Sequence, residues 1–387
     1  IIESVISNLP DLDEWCDNEV INKFGFSSWK KSLLKIHNSE TDGDPNNKYL
    51  RRLALDEILS NLIVLSKNRK KFKETKKNNK VFNSLLTKKI LKNFNFKLTN
   101  SQLKVIKEIN DDLSSNKKMF RILQGDVGSG KTIVSFLTSA NVLEIGYQAA
   151  LMAPTAILAN QHFILARKIF KNTNIKIEIL TGKTEIKSRN KTLEDLKNGK
   201  IDLLIGTHAL FQRKIEFKNL GYIIIDEQHK FGVKQRMLLA EKGGKNCDVL
   251  LMSATPIPRT MMLTVYGDMD VSRLLEKPKD RLSILTYSKP EKKINEIVEI
   301  IKKGLSENNQ VFWVCPLIKD SQFLDYSSVT KRYDWLKKKF PNQTSILHGE
   351  LKQNEKDLIL KRFLNKKIKI LVSTTVIEVG IDFPDAN

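Results

Sequence analysis

Short apolar runs alternate with helical segments from about residue 96 onward, and this alternation limits the possible folds more than any other feature. A strand covered on both faces reads as an unbroken apolar run, whereas a half-exposed strand alternates apolar and polar residues. Such runs with helices between them predict an α/β fold built on buried parallel sheets. The predicted strands are Phe120–Leu123, Ala149–Met152, Ile175–Leu180, Asp202–Ile205, Tyr222–Ile225, Val249–Met252, Leu282–Thr286, Gln310–Val314, Thr344–Leu347 and Ile368–Val372.

The strands form two series, which indicates two α/β domains in tandem. Lys277–Asp280 is the predicted linker between them, because Pro278 stands there among charged residues. Ahead of both series, leucine and isoleucine recur at helical spacing within Tyr49–Lys67, so the first part of the chain is predicted to be helical. The expected divisions are residues 1–95, 96–280 and 281–387.

Amino-acid composition limits the possible functions less than the alternation of strands and helices limits the possible folds. The 387 residues carry 66 Lys and Arg against 44 Asp and Glu, a formal net charge of +22. A basic chain favours a polyanionic partner such as nucleic acid, but lysines spread over solvated helix faces explain the charge equally well. A membrane-spanning helix is not predicted, because no run of about 18 apolar residues occurs.

Three widely spaced cysteines, Cys16, Cys247 and Cys315, argue against a disulfide framework or a zinc cluster and fit a reducing cytoplasm. The chain opens with Ile1-Ile2-Glu3 rather than methionine. We therefore expect it to be an internal piece of a longer protein.

One glycine-rich motif indicates phosphate binding. Residues 125–132 read GDVGSGKT and fit G-x-x-x-x-G-K-[ST], between a predicted strand and a predicted helix. The glycines let backbone N–H groups face a phosphate, and the helix N-terminus adds partial positive charge. Lys131 is expected to reach the β- and γ-phosphates of a nucleotide, and the Thr132 hydroxyl to bind Mg²⁺. The predicted nucleotide-binding residues of this loop are Gly125, Asp126, Val127, Gly128, Ser129, Gly130, Lys131 and Thr132.

Two carboxylates follow the apolar run Tyr222–Ile225, at the carboxyl edge of a predicted sheet, where ligands bind in such folds. We expect Asp226 to hold Mg²⁺ through water and Glu227 to orient and deprotonate the attacking water. Taken alone, an acidic pair after a strand is as often the N-terminal cap of a helix as a catalytic pair. The phosphate loop upstream favours the catalytic interpretation. Gln228 and His229 come next and are predicted to couple this site to its surroundings.

Longer strings carry a family resemblance. LQGDVGSGKT at 123–132, DEQHKFG at 226–232 and MSATPIPRT at 252–260 resemble the superfamily 2 helicases, and among them the RecG family of bacterial ATP-dependent branched-DNA helicases. The Mfd family of transcription-repair coupling factors is similar over the same region, but Ser129 and Gln228 favour RecG. The resemblance covers nearly the whole chain, since SLLKIHN at 32–38 and RLALDEIL at 52–59 resemble the segment that joins the RecG wedge domain to its motor.

The resemblance implies two tandem RecA-like domains, the second incomplete, preceded by a helical linker. It implies ATP and Mg²⁺ as cofactors and branched DNA as the partner. Residues matched to adenine recognition are Phe96, Leu98, Thr99 and Gln102, with a first-turn position in a helix capped by Thr99 as the alternative for Gln102. Gly380 and Asp382, within 373–382, are matched to the ATP site. Residues matched to DNA backbone contacts are Pro154, Thr155, Thr181, Gly182, Thr207, His208, His348, Gly349, Thr374 and Thr375.

The chain departs from the family pattern in two places. Lys230 stands where the family has arginine, which removes a bidentate hydrogen-bonding group. The sequence ends at Asn387, before the family's motif VI with its arginine fingers. Because arginine fingers contribute strongly to phosphoryl transfer, we expect this chain to bind ATP but to turn it over weakly.

The predicted function is an ATP-dependent DNA helicase or translocase that acts on replication forks and Holliday junctions. We expect a monomeric motor that is cytoplasmic and nucleoid-associated, with no membrane partner. An Mfd-like translocase, an ATP-dependent DNA-binding switch without unwinding, and a phosphate-loop kinase are the alternatives. The kinase is disfavoured because it has no use for a second α/β domain.

Overall fold

The fold is seen in a computed structural model that describes residues 8–10, 12–37, 47–74, 76–92, 97–182, 184–212, 214–227, 242–255, 269–276, 285–316, 328–374, 383 and 386. These residues belong to two compact units. One unit contains the described residues of 1–76 and 257–270, and the other contains those of 77–256 and 271–387.

The first unit is helical, as the sequence predicts. Its described helices are α1 (Asn18–Phe24), α2 (Trp29–His37) and α3 (Lys48–Glu74). Arg52 on α3 is fully buried, with its Nη2 atom 2.7 Å from Glu14 Oε1 and its Nε atom 3.1 Å from Asp56 Oδ2. Burial raises the pKa of the Glu14 carboxyl, but hydrogen bonds from Arg52 and the Cys16 amide, with the charge of Arg52, together hold that pKa below its usual value. The two acids thus offset the cost of taking the guanidinium out of water.

The second unit contains a large sheet. Its strands are β1 (Phe120–Gly125), β2 (Gln148–Met152), β3 (Ile177–Leu180), β4 (Leu203–Gly206), β5 (Leu220–Ile225), β6 (Asp248–Ser253) and β7 (Asp270–Leu274). Among the described residues their order is β3-β4-β2-β5-β6-β1-β7, and β1 to β6 pair in parallel. The helices that accompany this sheet are α4 (Leu85–Lys92), α5 (Asn100–Ser114), α6 (Lys131–Glu144), α7 (Ala156–Ile169) and α8 (Ile186–Lys197).

A smaller parallel sheet follows in the same unit. Its described strands are β8 (Val311–Val314), β9 (Thr344–Leu347) and β10 (Ile370–Ser373), in the order β8-β10-β9. The helices α9 (Ile294–Ser306), α10 (Val329–Lys339) and α11 (Gln353–Leu364) lie between and before these strands in the chain. The βα alternation predicted from the sequence is therefore present in both sheets.

The central strands of the large sheet explain why the apolar runs are unbroken. Every residue of β2, β5 and β6 is buried. Helix α6 is buried over most of its length and packs on this sheet. Strands covered on both faces cannot carry solvated side chains, so their sequences lack the alternation of a half-exposed sheet.

Strand β7 was not predicted, because its sequence DVSRL contains no unbroken apolar run. It lies at the end of the sheet order. The predicted strand Leu282–Thr286 also differs, since the described residues Leu285 and Thr286 lie outside any strand. Its other residues and the predicted linker Lys277–Asp280 lie outside the described part of the chain. The domain divisions at residues 95 and 280 therefore stay a prediction.

A buried ion cluster lies at the amino end of β6. Lys77 Nζ donates to Asp248 Oδ1 and Oδ2 at 2.8 and 2.7 Å, Lys80 Nζ donates to Oδ2 at 2.6 Å, and the Met119 amide donates to Oδ1 at 2.7 Å. The three charged side chains are 0% exposed. Burial lowers the pKa of Lys77, and the charge of Asp248 opposes that shift. The carboxylate thus joins residues 77–80 to the sheet.

Replacing Asp248 by asparagine is expected to lower the free energy of unfolding by about 3–5 kcal/mol, because two buried ammonium groups lose their counter-charge. Chemical denaturation followed by circular dichroism would measure this loss. The matched control is Glu216→Gln, which breaks the exposed ion pair with Lys197 and should leave the unfolding midpoint unchanged. Equal midpoints for Asp248→Asn and the unmodified chain would contradict the role given to the cluster.

Candidate functional site

The predicted catalytic segments meet at the carboxyl edge of the large sheet. The phosphate loop follows β1, and Asp226 and Glu227 follow β5. Strand β6 lies between β5 and β1 and ends at Ser253, the first residue of the SAT string. Because all three strands are parallel, their carboxyl ends lie side by side. The sheet order therefore brings together segments that are about 100 residues apart in the chain.

The phosphate loop has the backbone that its glycines allow. Gly128 and Gly130 have φ angles of 75° and 90°, in the left-handed region that favours glycine. Helix α6 begins at Lys131, directly after Gly130. The Lys131 ammonium donates to the carbonyl oxygens of Gly125 at 2.6 Å and Asp126 at 3.0 Å. The lysine thus lies folded over its own loop.

Three acidic side chains act on the Lys131 ammonium. Burial lowers the pKa of Lys131, and the negative charges of Asp226, Glu227 and Asp126 oppose that shift. The lysine and both carboxylates are themselves buried. The structure therefore brings the predicted phosphate-binding lysine and the predicted metal-binding and catalytic acids into one electrostatic site.

Asp226 is held through both its backbone and its side chain. Its amide donates to the Met152 carbonyl at the end of β2, at 2.8 Å, and its Oδ1 atom accepts from the Glu227 amide at 3.0 Å. Its Oδ2 atom lies 2.8 Å from His162 Nε2 on α7. Glu227 has a φ of 46°, which is unusual for a residue with a side chain and turns the chain sharply after β5.

His162 is a site residue that the sequence analysis missed. It belongs to the buried stripe of α7 with Leu158, Ala159, Ala166 and Ile169. A histidine in an otherwise apolar helical stripe is the sequence signal that could have drawn attention to it. Its partner 64 residues away could not be inferred from that signal.

The residues matched to adenine recognition form a helix start that contacts the loop. Thr99 caps α5 by accepting from the Gln102 backbone amide, and Gln102 Oε1 accepts in turn from the Thr99 amide in a capping box. The Gln102 amide nitrogen also donates to the Ser129 carbonyl at 2.9 Å. Leu98 packs against the hydrophobic core. The capping alternative for Gln102 is thus present, and adenine contact stays a prediction.

The described residues predicted to contact DNA come shortly after strand ends. Thr155 caps α7 by accepting from the Leu158 amide at 3.2 Å, and its O–H can still donate. In the small sheet, the Thr374 amide donates to the Leu347 carbonyl at 3.3 Å. The Thr374 hydroxyl and His348 Nδ1 are buried without a hydrogen-bond partner among the described residues. In the large sheet, Pro154 and Thr155 follow β2, Thr181 and Gly182 follow β3, and Thr207 and His208 follow β4; in the small sheet, His348 and Gly349 follow β9, and Thr374 follows β10.

Six predicted site residues lie outside the described part of the chain: Phe96, Gln228, His229, Thr375, Gly380 and Asp382. Within the described residues, no group of three or more His, Cys, Asp or Glu side chains could hold a metal ion. The site predicted for Mg²⁺ is of another kind, because it uses one hydroxyl and one carboxylate, and Mg²⁺ usually keeps several waters. The described helices include none that is both long and apolar enough to cross a membrane.

Two helicase families match the chain, the DEAD/DEAH box helicases over residues 99–263 and the helicase conserved C-terminal domain over residues 292–387. ATP-dependent DNA helicase RecG of Aquifex aeolicus is 40% identical over 381 residues, which are 96% of this chain and 48% of that protein. RecG of Thermotoga maritima is 44% identical over 342 residues, covering 88% of this chain and 44% of that protein. The chain is therefore similar to the RecG helicases over nearly its whole length. It spans about half the length of these curated relatives.

A solved structure of RecG bound to a three-way DNA junction is similar over the full chain, with a TM-score of 0.80 and 38% identity, and the match covers 51% of that RecG chain. Mss116p bound to single-stranded RNA and AMP-PNP matches with a TM-score of 0.56 at 23% identity, which shows a shared fold. It covers 78% of this chain and 65% of that one. The predicted fold, two RecA-like domains preceded by a helical segment, is confirmed by the RecG structure and the two family matches.

Gly130→Ala is expected to destabilise the phosphate loop. The added Cβ would lie 2.3 Å from Gln102 Nε2, and alanine would be strained at a φ of 90°. We expect the free energy of unfolding to fall by roughly 1–3 kcal/mol, measured by urea denaturation. The matched control is Gly304→Ala in α9, where the nearest atom lies 3.9 Å from the new Cβ and φ is not in the left-handed region. That change should raise stability by about 0.5–1 kcal/mol. Equal effects of the two substitutions would show that the loop is not constrained at Gly130.

Proposed function

We propose that this chain is the ATP-driven motor of a helicase that acts on branched DNA. The observation that carries the proposal is geometric: the parallel strands β5, β6 and β1 lie side by side and bring the phosphate loop with its buried Lys131, Asp226 and Glu227 to one edge of the sheet. The relatives named ATP-dependent DNA helicase RecG, and the RecG structure with a three-way DNA junction, supply the class of reaction and the class of nucleic acid. Residues 96–280 and 281–387 would be the two motor domains, and residues 1–95 the linker from a wedge domain.

The phosphate loop would bind ATP, with Lys131 exchanging its two carbonyl contacts for the β- and γ-phosphates. The described residues fit this role, since the Ser129 hydroxyl is buried there without a hydrogen-bond partner among them. Mg²⁺ would be held by the Thr132 hydroxyl and, through water, by Asp226, and would supply charge neutralisation at the phosphates. Both ligands are the hard oxygen donors that Mg²⁺ prefers.

Glu227 would orient the attacking water and take its proton. Its backbone turn after β5 brings its carboxylate to the same edge as Lys131. Glutamine keeps the shape of this side chain but cannot take a proton, so Glu227→Gln separates nucleotide binding from hydrolysis.

DNA would lie across the strand-end loops of both sheets. These loops offer hydroxyls, backbone amides and imidazoles, which suit phosphate oxygens and carry little base information. Among the described members of this set, Thr207 and Thr374 are buried. Contacts of this kind would make binding sensitive to salt and indifferent to sequence. A forked duplex is a suitable probe, because the similar RecG structure is bound to a three-way DNA junction.

Binding of a fluorescent ATP analogue by this chain tests the nucleotide site. Lys131→Ala is expected to weaken binding roughly tenfold or more, because charge-assisted hydrogen bonds to phosphate are lost. Any hydrolysis by this chain should fall about 10²–10⁴-fold in Glu227→Gln. Equal nucleotide affinity of Lys131→Ala and the unmodified chain would contradict the site. Nucleotide-dependent DNA affinity without any hydrolysis would favour the DNA-binding switch over the motor.

Thr374→Val tests the DNA face in the small sheet. The Thr374 hydroxyl is buried without a partner among the described residues, so its removal is expected to raise the free energy of unfolding by about 1 kcal/mol. If that hydroxyl binds a DNA phosphate, affinity for forked DNA should fall about fivefold, measured by fluorescence anisotropy.

The matched control for this change is Thr344→Val in β9. The Thr344 hydroxyl donates to the Phe340 carbonyl at 3.1 Å, so its loss should lower stability by about 1 kcal/mol and leave DNA affinity unchanged. Unchanged DNA affinity of Thr374→Val would remove that residue from the proposed DNA face.

A further inference from the structure

Helix α7, which accompanies the large sheet, contacts Asp226 directly, and Asp226 is the carboxylate proposed to hold Mg²⁺. His162 on α7 is 5% exposed and Asp226 is 6% exposed, and His162 Nε2 lies 2.8 Å from Asp226 Oδ2. A carboxylate only accepts hydrogen bonds, so the imidazole Nε2–H donates. The other carboxylate oxygen, Oδ1, accepts from the Glu227 amide. Both oxygens of Asp226 are thus fixed in place, and each keeps a lone pair for a water or an ion.

The same helix begins at the proposed DNA contacts. Thr155 caps α7, and Pro154 precedes it. His162 lies about two turns into the helix, seven residues beyond Thr155. The loop before the helix is also tied to Asp226 by the backbone, since the Asp226 amide donates to the Met152 carbonyl. A displacement of this loop therefore reaches Asp226 through the backbone and through the His162 side chain.

A third contact extends α7 to the small sheet. Ile157, in the first turn, packs against the hydrophobic cluster of Leu347, Leu360, Phe363, Ile368 and Leu371. This cluster includes the last residue of β9, directly before His348. Helix α7 therefore links three proposed functional regions: a DNA-contact loop, the metal-binding acid and the strand end of the second domain.

We propose that His162 is a positioning residue that couples DNA contact to the magnesium-nucleotide site. The proposal rests on the proposed function above. His162 holds one rotamer of Asp226, so the carboxylate stays preorganised for Mg²⁺. DNA bound at Pro154–Thr155 shifts or stiffens α7 and changes how well Asp226 is held. Hydrogen-bond partners of metal-binding side chains contribute about 10–100-fold to metal affinity or activity, so the effect is measurable.

The experiment is equilibrium binding of mant-ATP to this chain, in excess Mg²⁺ and in EDTA, each with and without forked DNA. Two ratios of dissociation constants are measured. The first compares mant-ATP binding in EDTA with binding in Mg²⁺, and the second compares that Mg²⁺ effect with and without DNA, which gives the coupling between the two sites. Neither ratio requires turnover. A residue that only supports folding would change the melting temperature and the affinity in EDTA, not these ratios.

Four substitutions separate the positioning role from a general packing role. His162→Leu removes the donor, and we expect the Mg²⁺ effect to fall about tenfold and the DNA effect to vanish, with EDTA affinity unchanged. His162→Gln places an N–H near the position of Nε2 and should stay close to the unmodified chain. His162→Asn carries the same amide one methylene shorter and should behave like His162→Leu. Ile164 lies on the same helix and is 61% exposed, so Ile164→Ala should leave both ratios unchanged.

Several outcomes would overturn the inference. Unchanged ratios in His162→Leu, or identical ratios in His162→Gln and His162→Asn, would show that the hydrogen bond to Asp226 does not position the carboxylate. If His162→Leu does not fold, the comparison of His162→Gln with His162→Asn by itself decides whether the hydrogen bond positions Asp226. Absence of any DNA effect in the unmodified chain would exclude the coupling. Failure of the proposed function looks different, since mant-ATP would then bind equally to Lys131→Ala, and the inference would fall with it.

Discussion

The burial of the large parallel sheet on both faces is the constraint on which the second unit depends. Strands β2, β5 and β6 have no exposed residue, so polar and charged groups are confined to the strand ends. Because the strands are parallel, their amino ends lie at one edge of the sheet and their carboxyl ends at the other. The amino edge holds the Asp248 ion cluster, which fastens residues 77–80 to the sheet. The carboxyl edge collects Lys131, Asp226 and Glu227.

At that edge, a low-dielectric setting strengthens every charge interaction and makes an unpaired charge costly. The Lys131 ammonium donates to two carbonyl oxygens of its own loop and faces three acids. Asp226 is held by His162, by the Glu227 amide and through Met152. These contacts keep the groups oriented, which is the form of preorganisation that the proposed phosphoryl transfer would require.

Features encoded by neighbouring residues were predicted well. The strands of the large sheet that are buried on both faces were predicted because their apolar runs are unbroken. The loop at 125–132 was predicted because its glycines and Lys131 lie close together in the sequence. Strand β7 was missed because its sequence DVSRL contains no unbroken apolar run. Gln102 was matched to adenine by resemblance, whereas its amide meets Thr99 and Ser129 in the structure. A glutamine three residues after a threonine predicts the first contact, but the second depends on where α5 packs.

The sequence by itself determined the α/β class, the phosphate loop and the family resemblance, since each depends on local patterns and on strings of consecutive residues. Tertiary structure alone decided which strand ends become neighbours, and so which acids act on Lys131. It also decided that His162 meets Asp226, because that contact requires α7 to pack so that its buried stripe faces the end of β5. A hydrogen bond between residues 64 positions apart has no local signature, and it exists only once the sheet order is fixed.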